Sequence, residues 1–171
     1  MEHIHYISND HLSIERIGEI VYNHYKLQLS DDARRRIERC RTYLDDRIKR
    51  EETPIYGVTT GFGSLCNVSI SKDQLSQLQI NLIKSHACGV GDRLPADIVK
   101  MMMLLKVQSL SYGYSGCKLD TVQRLIDMYN ADIVPVVYAQ GSLGASGDLV
   151  PLAHMSLPLV GLGEVEVDGK V

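Results

Sequence analysis

The sequence predicts a mainly α-helical domain with a few short strands, and three observations lead to that class. Apolar residues recur three and four positions apart through most of the chain, which is the spacing of a helix face. Capping residues or a proline stand where these stripes begin, and glycines stand where several of them end. The chain has 171 residues, enough for one domain with a core of its own.

The first two predicted helices each begin after a serine that can act as the N-cap. Ser13 precedes a short apolar stripe at Ile14, Ile17 and Val21. Ser30 precedes a longer helix whose first turn is acidic. The apolar face of this second helix recurs at four- and three-residue steps: Ala33, Ile37, Cys40, Leu44 and Ile48.

Two further helices are predicted in the middle of the chain, after a loop over residues 51–70. The third helix opens with Ser71-Lys72-Asp73-Gln74, which has the pattern of a capping box, and it stops before Gly89. The fourth helix starts at Pro95 and ends near Gly113. Both carry apolar stripes at helical spacing.

The last third of the sequence predicts two helices and a hairpin. The helices cover residues 120–129 and a stretch that ends near Pro158, with an extended segment over 133–138 between them. Residues 164–167 alternate like a strand, and Asp168-Gly169 is a typical hairpin turn. Because only two residues follow the turn, we expect an incomplete hairpin at the front of a longer protein.

Charge and hydropathy argue against two classes of partner. The 18 basic and 21 acidic residues give a net charge of −3, which offers no electrostatic case for nucleic acid or an anionic membrane. No apolar run approaches the ~20 residues of a membrane span. The N-terminus also lacks the basic flank and apolar stretch of a signal peptide. The expected location is the cytoplasm.

Neither the cysteines nor the N-terminal histidines have the pattern of a metal site. The four cysteines form no CxxC or CxxH pair, which favours reduced, mostly buried thiols over zinc ligands or a disulfide framework. They are Cys40, Cys66, Cys88 and Cys117. His3, His5 and His11 are expected to be solvated residues of a poorly ordered terminus.

The ten residues GSLGASGDLV at 141–150 carry the most chemical information in the chain. In a tight turn without side-chain obstruction, the Gly147 nitrogen can attack the Ala145 carbonyl, because glycine permits the required backbone angles. Loss of the Ser146 hydroxyl as water then leaves an exocyclic methylidene. That product is an electrophile, which no ordinary side chain provides.

The same residues also fit a plain loop that leads into a helix. Ser146 or Asp148 would then be the N-cap, and Pro151 would lie in the first turn. Glycines spaced like those at 141, 144 and 147 also occur in phosphate-binding loops, but no Lys-Ser/Thr pair follows them in this chain. Local composition therefore leaves a plain loop and an electrophile precursor both open.

Two more motifs precede this loop along the chain. They are YGVTTGFG at 56–63 and NLIKSHACGVG at 81–91, and GSLGASGDLVPLAH at 141–154 completes the set. In order and spacing the three resemble the aromatic amino acid ammonia-lyase family, and most closely its histidine ammonia-lyases. The resemblance implies that residues 1–171 are the N-terminal part of that fold, with a long helical bundle and further site residues beyond Val171.

The resemblance implies a prosthetic group and a base. Ala145, Ser146 and Gly147 would cyclise without another enzyme to 4-methylidene-imidazole-5-one, with the loss of two waters. This electrophile would convert the substrate amine into a better leaving group, and Tyr56 would remove the β-proton. A free phenol has a pKa of about 10, so such a base needs hydrogen-bond donors around it. Whether the group forms in this chain stays open.

The resemblance also implies a substrate. His86 occupies the position that faces the side-chain ring of the substrate, and Gly63 is among the substrate-binding residues. The pair Ser85-His86 is typical of histidine lyases and of some bacterial tyrosine lyases. L-Histidine with urocanate as product is therefore the first expected reaction, and a tyrosine ammonia-lyase or an aminomutase is the alternative.

Enzymes of this family are homotetramers whose pockets combine residues from several chains. The resemblance therefore implies a homo-oligomer, and it implies that the 171-residue chain alone is inactive as a lyase. A different class of function also stays open. The chain could be a noncatalytic helical module that self-associates through exposed apolar surface.

Overall fold

The computed structural model describes residues 3–50, 53–66, 68 and 70–171. Across these residues there are six α-helices: α1 (Ile14–Tyr22), α2 (Asp31–Arg50), α3 (Leu75–His86), α4 (Ala96–Ser111), α5 (Leu119–Asn130) and α6 (Val150–Ser156). The strands are short: β1 (Ile4–Ile7), β2 (Lys26–Leu29), β3 (Val90–Arg93), β4 (Val134–Pro135), β5 (Tyr138–Gln140), β6 (Leu143–Gly144), β7 (Gly147–Asp148) and β8 (Val165–Glu166). The prediction of a mainly α-helical fold with a few short strands is confirmed.

Helix α4 lies at the centre of the hydrophobic core. It packs against α1, α2 and α5, and it buries residues on more than one side because its sequence is apolar around much of its circumference. The fully buried apolar side chains of this helix are Val99, Met103, Leu104 and Val107. The methionines therefore belong to the core stripe.

The N-terminal segment is ordered, contrary to the prediction for the histidine cluster. Strand β1 pairs in parallel with β2, and α1 connects the two strands. Within this unit Ile7 is fully buried, His5 is half-buried, and the His3 ring stacks on Tyr25 at 5.0 Å. The predicted disorder is wrong because a four-residue strand is stabilised by its partner strand rather than by any local pattern, whereas His3 and His11 are solvent-exposed as predicted.

The first two helices follow the prediction, whereas the third begins differently. Ser13 Oγ accepts the Arg16 amide at 3.2 Å, and Ser30 Oγ accepts the Ala33 amide at 3.2 Å. The Ser71 side chain makes no capping hydrogen bond to a described residue, and a 3₁₀ turn over Lys72–Gln74 precedes α3. The predicted capping box is therefore wrong, although the helix that it introduced is present.

The C-terminal turn forms as predicted, but its strand pairs elsewhere. Val167 and Lys170 exchange backbone hydrogen bonds of 2.8 and 3.0 Å across the predicted turn, while β8 pairs with β4 instead of with a return strand.

All four cysteine thiols are free. Cys88 is exposed and the other three are half-buried, so the prediction of mostly buried thiols is wrong. In the described ranges, no helix has the length and apolar character needed to cross a bilayer.

Tyr129 on α5 is a buried polar residue in the core. Its side chain is 1% exposed, and its hydroxyl has no hydrogen-bond partner among the described residues. The Lys100 ammonium lies 4.6 Å from the centre of the Tyr129 ring and pairs with Asp132. Burial, and then the negative charge of Asp132, raises the pKa of Tyr129 to about 12.

Tyr129→Phe is expected to raise the free energy of unfolding by about 1 kcal/mol, because it removes an unpaired buried hydroxyl and keeps the ring under Lys100. The advantage should grow as the pH rises from about 10 to about 12. The phenol of the unfolded chain ionises there while the folded one keeps its proton, which destabilises the tyrosine form. Urea unfolding at neutral and alkaline pH measures both effects. Tyr114→Phe, at a 91% exposed site, is the control, and a less stable Tyr129→Phe protein would contradict the argument.

Candidate active site

Residues 55–60 form a compact turn that carries Tyr56. The amides of Val58 and Thr59 donate to the Ile55 carbonyl at 3.0 and 2.9 Å. The Gly57 amide donates to Thr60 Oγ1 at 3.2 Å, and Gly57 itself has a φ of +70°, which a glycine adopts readily. The threonine and glycine residues of the motif therefore determine where the Tyr56 side chain projects.

The Tyr56 hydroxyl lies at the surface of this turn and receives one backbone donor. The side chain is 61% exposed, and the Gly63 N–H donates to its hydroxyl oxygen at 3.3 Å. The ring lies 5.7 Å from the Phe62 ring, centre to centre. The Gly63 amide and the Phe62 ring therefore hold the Tyr56 side chain in a defined position on the turn.

His86 is the last residue of α3 and also contacts Phe62. The Phe62 and His86 rings meet edge to face with their centres 5.7 Å apart. His86 Nδ1 lies 2.7 Å from the Leu82 carbonyl oxygen, which can only accept, so this nitrogen carries the proton and donates. In the neutral ring Nε2 is then an acceptor, and none of the described residues donates to it. The side-chain amide of Gln79 ties α3 to the Tyr56 turn through the Gly57 carbonyl, at 3.3 Å.

Ala145 and Ser146 form the tip of a two-residue hairpin. Gly144 of β6 lies opposite Gly147 of β7 in the antiparallel register, and Ala145 and Ser146 are exposed. Gly147 has a φ of +88°, and a Cβ atom there would meet no described atom within 4 Å. The tip is therefore tight and unobstructed, which fits the backbone cyclisation that the sequence suggested for these residues.

The simpler prediction for this loop is also partly met. Pro151 lies in the first turn of α6, and Asp148 Oδ1 accepts the Val150 amide at 3.0 Å. The N-cap of α6 is Leu149, so the prediction of Ser146 or Asp148 at that position is wrong, although the Asp148 carboxylate does bind the first amide of the helix. A helix therefore follows the loop as predicted, and Ala145 and Ser146 at the hairpin tip are exposed.

Two groups of predicted site residues result from this arrangement. Tyr56, Gly63 and His86 come together around Phe62. Among the described residues, no hydrogen bond or ring contact joins Tyr56 or His86 directly to the Ala-Ser-Gly tip. The groups are connected through the backbone after His86, because β3 pairs with β5 just before the glycine loop and α3 packs against α6.

His154 is a polar residue of this connection that the sequence reasoning missed. It is 8% exposed on α6, and its Nε2 accepts the Gly89 amide at 2.9 Å. The available signal was a histidine four positions after Val150, on the apolar face of a short helix. Nothing in the sequence pointed to Gly89 as its partner, 65 residues away.

Gly141→Ala is expected to be less stable than Gly144→Ala by about 1 kcal/mol. A Cβ atom at Gly141 would overlap the Asp148 carboxylate, which would have to turn away and give up its bond to Val150. At Gly144 the nearest described atom to such a Cβ would be the Gly147 carbonyl oxygen, at 3.8 Å. Urea unfolding of the two variants measures the difference, and equal stabilities would show that the Asp148 contact is unimportant.

Comparison with known proteins places this geometry in a family. The model of the family described as aromatic amino acid lyase matches residues 12–171. The histidine ammonia-lyase of Streptococcus gordonii is 46% identical over 171 residues, which are 100% of this chain and 33% of that protein. That of Deinococcus radiodurans is 51% identical over 160 residues, which are 94% of this chain and 30% of that protein. The chain thus spans about a third of the length of these curated relatives.

Solved structures share the same fold. The histidine ammonia-lyase of Trypanosoma cruzi superposes with a TM-score of 0.85 at 32% identity, over 98% of this chain and 31% of that one. The phenylalanine aminomutase of Pantoea agglomerans superposes with a TM-score of 0.89 at 33% identity, over 98% of this chain and 32% of that one. By the family match and the relatives together, the chain belongs to the aromatic amino acid lyase family.

Proposed function

We propose that this chain is the N-terminal portion of a histidine ammonia-lyase, which eliminates ammonia from L-histidine and releases urocanate. The observation that carries the proposal is that the Tyr56 and His86 rings both contact Phe62. This grouping sets a candidate base beside a candidate imidazole-binding group. The similarity to histidine ammonia-lyases from two bacteria supports the choice of substrate.

Tyr56 is proposed to remove the β-proton of the substrate. Its hydroxyl oxygen is exposed and accepts the Gly63 amide, so charge that develops on the phenolate oxygen has a donor already in place. Gly63 thus contributes through its backbone. A group that removes a proton must reach it within hydrogen-bond distance, and the exposed hydroxyl is accessible to a ligand over the turn.

His86 is proposed to orient the side-chain ring of the substrate. Its Nδ1 donates to the Leu82 carbonyl, which leaves Nε2 of the neutral ring as an acceptor. An acceptor of this kind suits the N–H of a substrate imidazole or the hydroxyl of a substrate phenol. The residue therefore favours histidine or tyrosine over phenylalanine.

Ala145, Ser146 and Gly147 are proposed to form 4-methylidene-imidazole-5-one. The group supplies an electrophile that makes the substrate amine a better leaving group. The residues provide an unobstructed hairpin tip, a glycine nitrogen two residues from the Ala145 carbonyl, and a serine hydroxyl that leaves as water. Loss of two waters from the intact mass tests formation of the group without any assay of activity.

Assembly is part of the proposal. None of the described side chains of α3 is fully buried, and the large apolar residues at the site are exposed, among them Phe62, Leu149 and Leu152. Exposed apolar surface of this kind is usually buried by another part of the protein or by a partner. We propose that it is buried by the further residues that the relatives have and by other subunits of a cytoplasmic homotetramer. The 171-residue chain alone should therefore be inactive.

Product analysis with the full-length protein tests this function. L-Histidine and L-tyrosine are supplied separately, and urocanate, p-coumarate and β-amino acids are identified by mass spectrometry. Urocanate supports the proposal. p-Coumarate would assign a tyrosine lyase, and a β-amino acid would assign an aminomutase, for which the likeness to the Pantoea agglomerans aminomutase is the supporting observation.

The exposed apolar surface also favours a second candidate, a noncatalytic module that self-associates. Size-exclusion chromatography of the 171-residue chain tests it. A concentration-dependent oligomer together with an unmodified mass would support the module. A monomer would contradict it.

A further inference from the structure

His154 is a buried polar side chain in the helix that follows the Ala-Ser-Gly hairpin. Helix α6 starts at Val150, three residues after Gly147, and His154 lies one turn later on the same face. The other buried residues of α6 are apolar. His154 is therefore the one polar residue on the otherwise apolar buried face of α6.

The partner of His154 is the backbone just after His86. The Gly89 amide donates to His154 Nε2 at 2.9 Å, so Nε2 carries no proton and Nδ1 carries it. Burial lowers the pKa of His154 and thereby favours the neutral ring that can accept. The Tyr138 ring of β5 packs edge to face on the imidazole at 5.2 Å, which restricts its rotation.

The backbone at Gly89 approaches α6 too closely for any side chain. A Cβ atom there would lie 2.8 Å from Val150 Cγ1 and 3.0 Å from His154 Nε2. Real Cβ atoms do not come this close to such neighbours without displacement. Glycine at 89 and histidine at 154 are thus complementary parts of one contact.

We propose that His154 is a positioning residue, which through its bond to the Gly89 amide holds the His86 segment in register with the Ala-Ser-Gly hairpin. The inference deepens the proposed function and rests on it. His86 is three residues before Gly89, and the hairpin tip ends four residues before α6, so both are short extensions from one fixed point. Loosening this contact would let the substrate ring and the electrophile drift relative to each other, which costs catalysis because alignment contributes to it.

Two variants of the full-length protein separate an acceptor from a packing element. His154→Gln retains an acceptor oxygen, whereas His154→Leu retains apolar volume without one. Hydrogen exchange of the Gly89 amide is expected to accelerate roughly five- to tenfold in His154→Leu and to stay near the original rate in His154→Gln. The Ala87 amide, bonded to the Ile83 carbonyl at 3.1 Å, is the internal control and should not change.

Enzyme kinetics provide the second readout. kcat/KM for L-histidine is expected to fall more than tenfold in His154→Leu and to recover in His154→Gln. The reverse ranking, with leucine tolerated and glutamine not, would overturn the proposal. If the unmutated protein forms no product, the proposed function fails, while the exchange ranking still decides whether His154 holds Gly89.

A measurement on the unmutated 171-residue chain does not depend on how the variants fold. Nitrogen-15 NMR of labelled histidine reports which ring nitrogen carries the proton. The expected result for His154 is a protonated Nδ1 and an unprotonated Nε2 at neutral pH. A protonated Nε2 cannot accept the Gly89 amide and would overturn the proposal.

Discussion

Replacing Ser146 with alanine is expected to abolish ammonia release by the full-length protein, with a loss of ~10³-fold or more. The serine hydroxyl is the only group at the hairpin tip that can leave as water and generate the methylidene. Alanine keeps the size and the exposed turn, so folding should be preserved. Steady-state assays with L-histidine measure the loss.

The intact mass of each protein shows whether the loss of activity comes from failure to form the prosthetic group. The unmutated protein should be lighter than its sequence by two waters, and the Ser146→Ala protein should not show that deficit. Ser142→Ala, in the same glycine-rich loop, is the matched control and should retain both the deficit and the activity. Full activity in Ser146→Ala would refute the shared chemistry of the lyase and the aminomutase alternatives.

Replacing Tyr56 with phenylalanine is expected to lower kcat by about 10²- to 10⁴-fold, which is the usual contribution of a positioned base. KM should change little, because the ring and its contact with Phe62 are kept. Removal of the β-proton should also become slower relative to the other steps. The kinetic isotope effect with β-deuterated L-histidine is therefore expected to increase.

Tyr43→Phe is the matched control for Tyr56, since Tyr43 is 65% exposed and Tyr56 is 61% exposed. This variant on α2 should leave kcat unchanged. A Tyr56→Phe protein with normal kcat would show that another group removes the proton. The hydroxyl would then serve only to accept the Gly63 amide in the turn.

The helices were predictable because their signals are local. The apolar stripe that begins at Ala33 and the caps at Ser13 and Ser30 lie within a few residues of the elements they specify. The start of α3 was less predictable. Ser71 has the residue type of a cap, but the backbone there adopts a 3₁₀ turn and the serine bond is not made.

The strands were mostly missed because each is only two to four residues long. Strand β1 is stabilised by β2 across an intervening helix, and β8 is stabilised by β4 rather than by its own hairpin. Pairings of this kind depend on residues far away in sequence. A pattern confined to four residues does not contain that information.

The candidate site also combines features that local sequence predicts with features that depend on distant contacts. The candidate roles of Tyr56, His86 and Ser146 were inferred from three short motifs and from the family that those motifs resemble. The bond from Gly89 to His154 accompanies the packing of α3 against α6. The contacts of Tyr56 and His86 with Phe62 arise where the turn over residues 55–60 meets α3. The sequence therefore names the candidate residues. Their relative positions result from contacts between segments up to 65 residues apart, which form only when the chain folds.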